Sequence, residues 1–243
     1  MNVEGRRSGT RLDRFLAEQL NISRTDAKEL IKKRTVTVNG ETAKLFDMKI
    51  DPNEDKVMSQ GKPVVYREFI YIMLNKPAGV VCAVKDALSE TVLELIPPVL
   101  RRKGLFPAGR LDKDTEGFVF ITDDGALAHK MLSPKSHVEK LYLAQLEHEA
   151  EDSYIPLFES GMEIDGGEKC LPAKLSICED RRWVYITLCE GKYHQVKRMA
   201  ERAGNKVVYL KRVKIGGIEL DPELPLGQCR EILHKEILNL YTK

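Results

Sequence analysis

The sequence predicts an α+β fold, and three observations predict it. Two short amphipathic helical patterns open the chain and lead directly into a strand–turn–strand signal. Most of the remainder reads as short strands rich in β-branched and aromatic residues, with a few brief helices between them. Near the middle, Phe118-Val119-Phe120-Ile121 is an apolar run of strand length that stops at Asp-Asp-Gly, so it reads as a buried strand. The 243 residues suffice for one large domain or for a small domain followed by a larger one, and 42% hydrophobic content allows a sizeable core.

Residues 1–9 are polar and expected to fray. Thr10 is placed to cap a helix over residues 10–20, with Leu12, Phe15, Leu16 and Leu20 on one face. After a turn at Asn21-Ile22, Ser23 and Asp26 have capping-box spacing for a second helix. Its apolar face is Ala27, Leu30 and Ile31, and Arg24, Lys28 and Lys32 recur every fourth residue on another face. Val36-Thr37-Val38 followed by Asn39-Gly40 is a hairpin signal, because that dipeptide tolerates the two positive φ angles of a tight turn. These elements define a small domain over residues 10–58. Residues 59–68, polar and carrying Gly61 and Pro63, read as a linker to a second domain over residues 69–243.

In that second part, residues 69–74 read as a strand, 75–79 as a turn, and 91–96 as a short helix ended by Pro97-Pro98. A short helix over 125–131 follows the central strand. Residues 140–146 alternate as a strand, 154–158 read as a helix, and 173–177 and 183–188 as further strands. A glycine turn at 190–192 opens a basic helix, and 206–214 is a basic strand.

Net charge is only +2, but its distribution is uneven. Residues 1–49 hold eleven Lys/Arg against seven Asp/Glu, residues 192–214 hold eight against one, and residues 147–168 hold eight acids and no Lys or Arg. Two basic patches separated by an acidic stretch suit a polyanion bound on one side of the molecule. The five cysteines form no C-x-x-C pair and no metal-like spacing with histidine, so they read as thiols of a reducing compartment. No apolar run reaches membrane length and no signal peptide is apparent, which gives a cytoplasmic expectation without membrane contact.

Five carboxylates flank the central strand: Asp112, Asp114, Glu116, Asp123 and Asp124. Counted from Asp112 they nearly match an EF-hand calcium loop, but residues 103–109 contain two glycines and a proline and are unfit for its entering helix. The plain alternative is solvated loop charge, which suits Asp114, Glu116 and Asp124 best. Asp112 differs, following Arg110-Leu111 directly. Taken singly, Tyr142 reads as core, His194 and Gln195 as capping residues, Lys197 and Arg198 as surface charge, and 206–214 as an edge strand guarded by lysines.

Taken together, these stretches carry a resemblance. TRLDRFLAEQLNISRTDAKELIKKRTVTVNG resembles the S-four RNA-binding domain. GRLDKDTEGF, the following TDDG, Lys140-x-Tyr142, EGKYHQVKRM and RVKIGGIELD resemble the pseudouridine synthases, of the RsuA type that acts on small-subunit (16S) ribosomal RNA. The resemblance implies a long mixed, mainly antiparallel sheet with a cleft across its middle, preceded by a small RNA-binding module. It implies Asp112 as the catalytic carboxylate, Tyr142 stacked on the target uracil, and Lys197 paired with the aspartate. Val196 would lie beneath the ring, with Arg110, His194, Gln195 and Arg198 around the substrate. Arg11, Arg24, Lys28, Lys32, Lys33 and Arg34 would face RNA phosphates. The reaction is an isomerisation and calls for no cofactor and no metal. The expected partner is ribosomal RNA, naked or within a partly assembled small subunit, and the expected state is a monomer. Two other readings share these motifs: the same reaction on large-subunit (23S) RNA, and a non-catalytic S-four-type RNA-binding protein.

Overall fold

The computed structural model describes residues 9–242, so the stretch expected to fray lies, but for Gly9, outside the described residues. The chain divides into two compact units. One runs to Phe69 and includes residues 101–103, and the other comprises residues 70–100 and 104–243.

In the first unit, α1 (Leu12–Gln19) and α2 (Arg24–Lys32) bury Leu12, Phe15, Leu16, Ala27 and Ile31 against Val36, Val38, Ile50 and Val57. The capping box is present: Ser23 Oγ accepts from the Asp26 amide, and the Asp26 carboxylate accepts from the Ser23 amide. Asn39 and Gly40 both take positive φ, 53° and 87°, as the hairpin requires. Two expectations are corrected. Thr10 does not cap α1: it pairs with Ile50 in a short strand, and the carbonyls of Met48 and Phe46 accept the Leu12 and Asp13 amides instead. Residues 59–68 are not simply a linker. Ser59 ends a strand paired with Lys62–Pro63, Val64 is buried in this core, and Tyr66 packs against Phe15.

Asp13 is fully buried and receives Arg11 at 3.0 and 3.1 Å and Arg24 at 3.1 Å. The Arg11 hydrogen bonds, aided by Arg24 and opposed by burial, lower its pKa from 3.8 to about 2. The folded value lies below the unfolded one, so the resulting stability is complete above about pH 4 and fades as pH falls toward 2. Because both arginines are partly in solvent, its worth is about 1–2 kcal/mol. Urea denaturation of wild type and Asp13→Asn is expected to show wild type more stable at pH 6, with the gap closing between pH 4 and 2.5. A gap independent of pH would refute the linkage.

The second unit is built on a nine-stranded sheet. Its main strands are β1 (Tyr71–Lys76), β2 (Glu116–Thr122), β3 (Lys140–Leu146), β4 (Lys174–Ile177), β5 (Trp183–Leu188), β6 (Val207–Ile215) and β7 (Cys229–Glu231). They run β4-β5-β3-β6-β2-β1-β7, with Phe106–Pro107 added to β2 and Ile218–Glu219 to β6. All pairs are antiparallel except β2–β6, which is parallel and joined only at Glu116↔Lys211 and Gly117↔Arg212. The sheet is therefore mixed and mainly antiparallel, and the fold is α+β. Phe118–Ile121 is completely buried, as its composition implies. Alternate faces of β2 feed two cores: Val119 and Ile121 one, Phe118 and Phe120 the other.

Strand β6 is central rather than a lysine-guarded edge. Asn75 and Lys76, expected in a turn, are buried strand residues. Residues 91–96 form turns with i→i+3 bonds, Glu94 N to Thr91 O and Ile96 N to Leu93 O, instead of a helix. Thr91 is tied to Val81 in a bridge on one side and Pro97-Pro98 blocks extension on the other, leaving too few residues for helical bonds to propagate.

Candidate active site

The loop 109–115 precedes β2 and is held from below. The Lys76 side chain is buried, and its Nζ donates to the carbonyl oxygens of Pro77, Lys113 and Thr115 at 3.0, 3.2 and 2.8 Å. Burial pushes the Lys76 pKa down, against the pull of Cys82 and the nearby acids. The Gly79 amide donates to Lys113 O at 2.7 Å, and the Leu111 amide reaches Cys82 Sγ at 3.4 Å. The residue before Asp112 and the residues after it are thus fixed through backbone contacts, which leaves the Asp112 side chain for other work.

After α3 (Gly125–Leu132) and α4 (Tyr154–Glu159), helix α5 (Gln195–Arg202) brings the partner. Lys197 Nζ lies 3.3 Å from Asp112 Oδ2 and 2.6 Å from Asp114 Oδ1, so one ammonium bridges two carboxylates. Burial opposes the Lys197 charge, but the Asp114 hydrogen bond and the Asp112 charge outweigh it and hold its pKa above the ordinary lysine value. Lys197 holds the Asp114 carboxyl below its usual range in return. The two acids differ in access: the Asp112 side chain is 25% exposed and that of Asp114 72%. His194 Nε2 is 3.5 Å from Asp112 Oδ1.

The other flanking acids separate. The Tyr209 hydroxyl donates to Glu116 at 2.8 Å, and burial together with this contact pushes the Tyr209 pKa up to about 12. Asp123 accepts the Ile70 amide. Asp124 is buried, caps α3 (Gly125–Leu132) by accepting the Leu127 amide, and accepts the Tyr71 hydroxyl. Solvated charge therefore misdescribes Asp124 and Glu116, and Asp114 is exposed yet committed to Lys197. The calcium-like spacing belongs to a loop and a strand, and among the described residues no group of three or more metal-ligating side chains converges.

Tyr142 is buried on β3 in the same core cluster as Val196 and Leu111, the neighbour of Asp112. A register shift between β3 and β6 sets Arg212 directly opposite it. The Arg212 guanidinium lies 6.0 Å from the ring centre, and its Nη1 is 3.5 Å from the Tyr142 hydroxyl. Its Nε donates to Phe118 O at 2.8 Å. The sequence reading gave Arg212 no role, although it opens the RVKIGGIELD stretch, because the central position of its strand is not visible locally. Arg110 is exposed, without an acceptor for its guanidinium among the described residues.

Gln195 and Arg198 turn away from the carboxylates. Gln195 is buried, donating to Glu190 Oε1 at 2.7 Å and accepting from the Lys192 amide at 3.0 Å. Arg198 pairs with Asp165 and with Glu168 Oε2 at 2.9 Å, and donates to Tyr193 O at 3.1 Å. Both brace the turn before α5. In the first unit, Arg11 and Arg24 share Asp13, and Arg11 and Lys28 lie over the Phe46 ring at 5.7 and 4.8 Å. Lys32, 3.7 Å from Glu29, and Lys33 and Arg34 are exposed at the end of α2.

Residues 70–202 match the family model of RNA pseudouridylate synthase, and residues 10–55 match the S4 domain. The chain is 46% identical over 230 residues to YtzG of Bacillus subtilis, described as an uncharacterized RNA pseudouridine synthase, across 93% of this chain and 96% of that one. It is 42% identical over 233 residues to ribosomal small subunit pseudouridine synthase A of Escherichia coli K12, across 95% and 99%. A solved structure of a pseudouridylate synthase superposes with a TM-score of 0.66 at 40% identity, covering 95% of this chain and 99% of the other. The matched segment contains the Asp112 loop, the Tyr142 strand and the Lys197 helix together, and this chain belongs to the RNA pseudouridylate synthase family, with an S4 domain at its N-terminal end.

Proposed function

We propose that this protein isomerises one uridine of small-subunit (16S) ribosomal RNA to pseudouridine, with Asp112 as the catalytic carboxylate. The observation that carries the proposal is the partly buried Asp112 side chain with Lys197 at 3.3 Å, in a chain similar over nearly its full length to ribosomal small subunit pseudouridine synthases.

The reaction breaks the bond between uracil N1 and the ribose anomeric carbon, turns the base, and rejoins it through C5. The C5 hydrogen is released and N1 gains a proton, so atoms and oxidation state balance without a co-reactant. The target must leave the base stack, at a cost of a few kcal/mol, and needs an apolar bed while detached. Tyr142 and Val196 provide that bed, and exposed Arg110 takes an adjacent phosphate. Lys197 sets a positive charge 3.3 Å from the Asp112 carboxylate. The carboxylate then attacks the anomeric carbon or takes the neighbouring ribose proton, and one acid beside the sugar serves either route. In the first unit, Asp13 pre-positions Arg11 and Arg24, which together with Lys28, Lys32, Lys33 and Arg34 hold phosphates and set orientation without reading sequence.

The test is release of tritium from C5-labelled small-subunit ribosomal RNA, offered both naked and in partly assembled subunits. Release from either substrate, mapping to one uridine, is the expected result. Release from large-subunit RNA alone would move the target, and release from neither would leave an RNA-binding protein.

A further inference from the structure

The turn before α5 presents two aromatic rings for which neither the core nor the carboxylate pairing accounts. Tyr193 is 73% exposed. Its ring lies on that of His194, with centroids 3.8 Å apart and planes 17° from parallel. His194 adopts a left-handed backbone, φ 48°, which a residue with a side chain rarely takes, and its Nε2 points to Asp112 Oδ1 at 3.5 Å. A single exposed tyrosine is ordinary. This one is stacked in advance on a residue that also reaches the catalytic carboxylate.

It is also held still. Arg198 donates to the Tyr193 carbonyl while pairing with Glu168 and Asp165. Gln195 ties the Lys192 amide to Glu190, and Lys192 Nζ reaches Glu168 at 3.2 Å. The turn thus offers a flat apolar face to solvent on a rigid mount. Little conformational freedom remains to be lost when something stacks on it. A uridine that leaves its stack strips one face of each neighbouring base, and a protein ring can replace the lost partner.

We propose that Tyr193, backed by His194, is the stacking platform for a nucleobase flanking the flipped uridine. The inference rests on the pseudouridylation reading above and adds a subsite to it. Stacking on a π-face tolerates any base, so the platform grips the strand next to the target without selecting its sequence.

The experiment uses the full chain and an RNA fragment that wild type turns over, carrying 2-aminopurine on the 5′ or the 3′ side of the mapped uridine. Wild type is expected to quench one of the two positions. Tyr193→Ala is expected to lose most of that quenching and to raise KM about tenfold, with kcat within about threefold. Tyr193→Phe and Tyr193→Trp should retain both properties, because they keep the ring face. Unchanged quenching and KM in Tyr193→Ala would overturn the inference, as would Tyr193→Phe behaving like Tyr193→Ala. An active wild type with an unaffected Ala variant refutes the platform alone. A wild type inactive on every ribosomal RNA refutes the underlying function and the platform with it.

Discussion

Replacing Asp112 by Asn is expected to slow C5 tritium release at least about a thousandfold, about 4 kcal/mol of barrier, while RNA affinity stays within about threefold, roughly 0.7 kcal/mol. The two halves of this expectation have separate causes. Asn keeps the size of the side chain, and the loop around it is held through backbone groups by Lys76, Gly79 and Cys82, none of which touches the Asp112 carboxylate. Lys197 retains its shorter contact with Asp114, so the variant does not strand a buried cation. The geometry should therefore survive, and with it the contacts to RNA. What disappears is the carboxylate proposed to act on the sugar as nucleophile or base, and an amide can do neither at neutral pH. Retained turnover would remove Asp112 from the chemistry. A large loss of affinity would show that its charge holds the loop and not the reaction.

The parts legible from sequence were those governed by local rules. The capping box at Ser23, the Asn39-Gly40 turn, the buried strand around Phe118 and the alternation of Lys140–Leu146 each need only a few adjacent residues to be recognised. The pairing of Asp112 with Lys197 was legible only through the resemblance, because the two are far apart in the chain and no periodicity links them. For the same reason the larger share of Lys197 taken by Asp114 went unread, as did the capping role of Asp124 and the placing of Arg212 opposite Tyr142. The linker reading failed in an instructive way. Polar, glycine-bearing residues 59–68 have loop composition, yet Val64 and Tyr66 supply enough apolar surface to join the first core. Arg198 and Gln195 sit inside the motif, and their hydrogen bonds to the turn before α5 were not visible in it. A motif identifies which residues matter, and only the fold tells what each one touches.

Gly117→Ala is expected to cause a large loss of stability in the second unit. Gly117 sits where the only parallel pair of the sheet is joined, opposite Arg212. Its φ is 100°, a region closed to side chains by contact with their own backbone. A Cβ there would lie 2.2 Å from Arg212 O and 2.9 Å from Arg212 N. These are backbone atoms in a central strand and cannot rotate away. The methyl is accommodated only if β2 and β6 separate, and the junction has just two paired positions to lose. Backbone strain alone costs about 1–3 kcal/mol, and with the broken junction the total should exceed about 4 kcal/mol, a large part of what holds an ordinary domain together. Separation would also pull the Phe118 carbonyl from Arg212 and loosen the bed around Tyr142, so residual folded protein should be poorly active. Gly125→Ala is the matched control: it lies in α3, its φ is not positive, and an added Cβ meets nothing within 4 Å. It should be neutral or slightly stabilising. Urea midpoints for both variants decide the matter, since a Gly117→Ala protein within about 1 kcal/mol of wild type would mean that the two halves of the sheet are not joined at this residue.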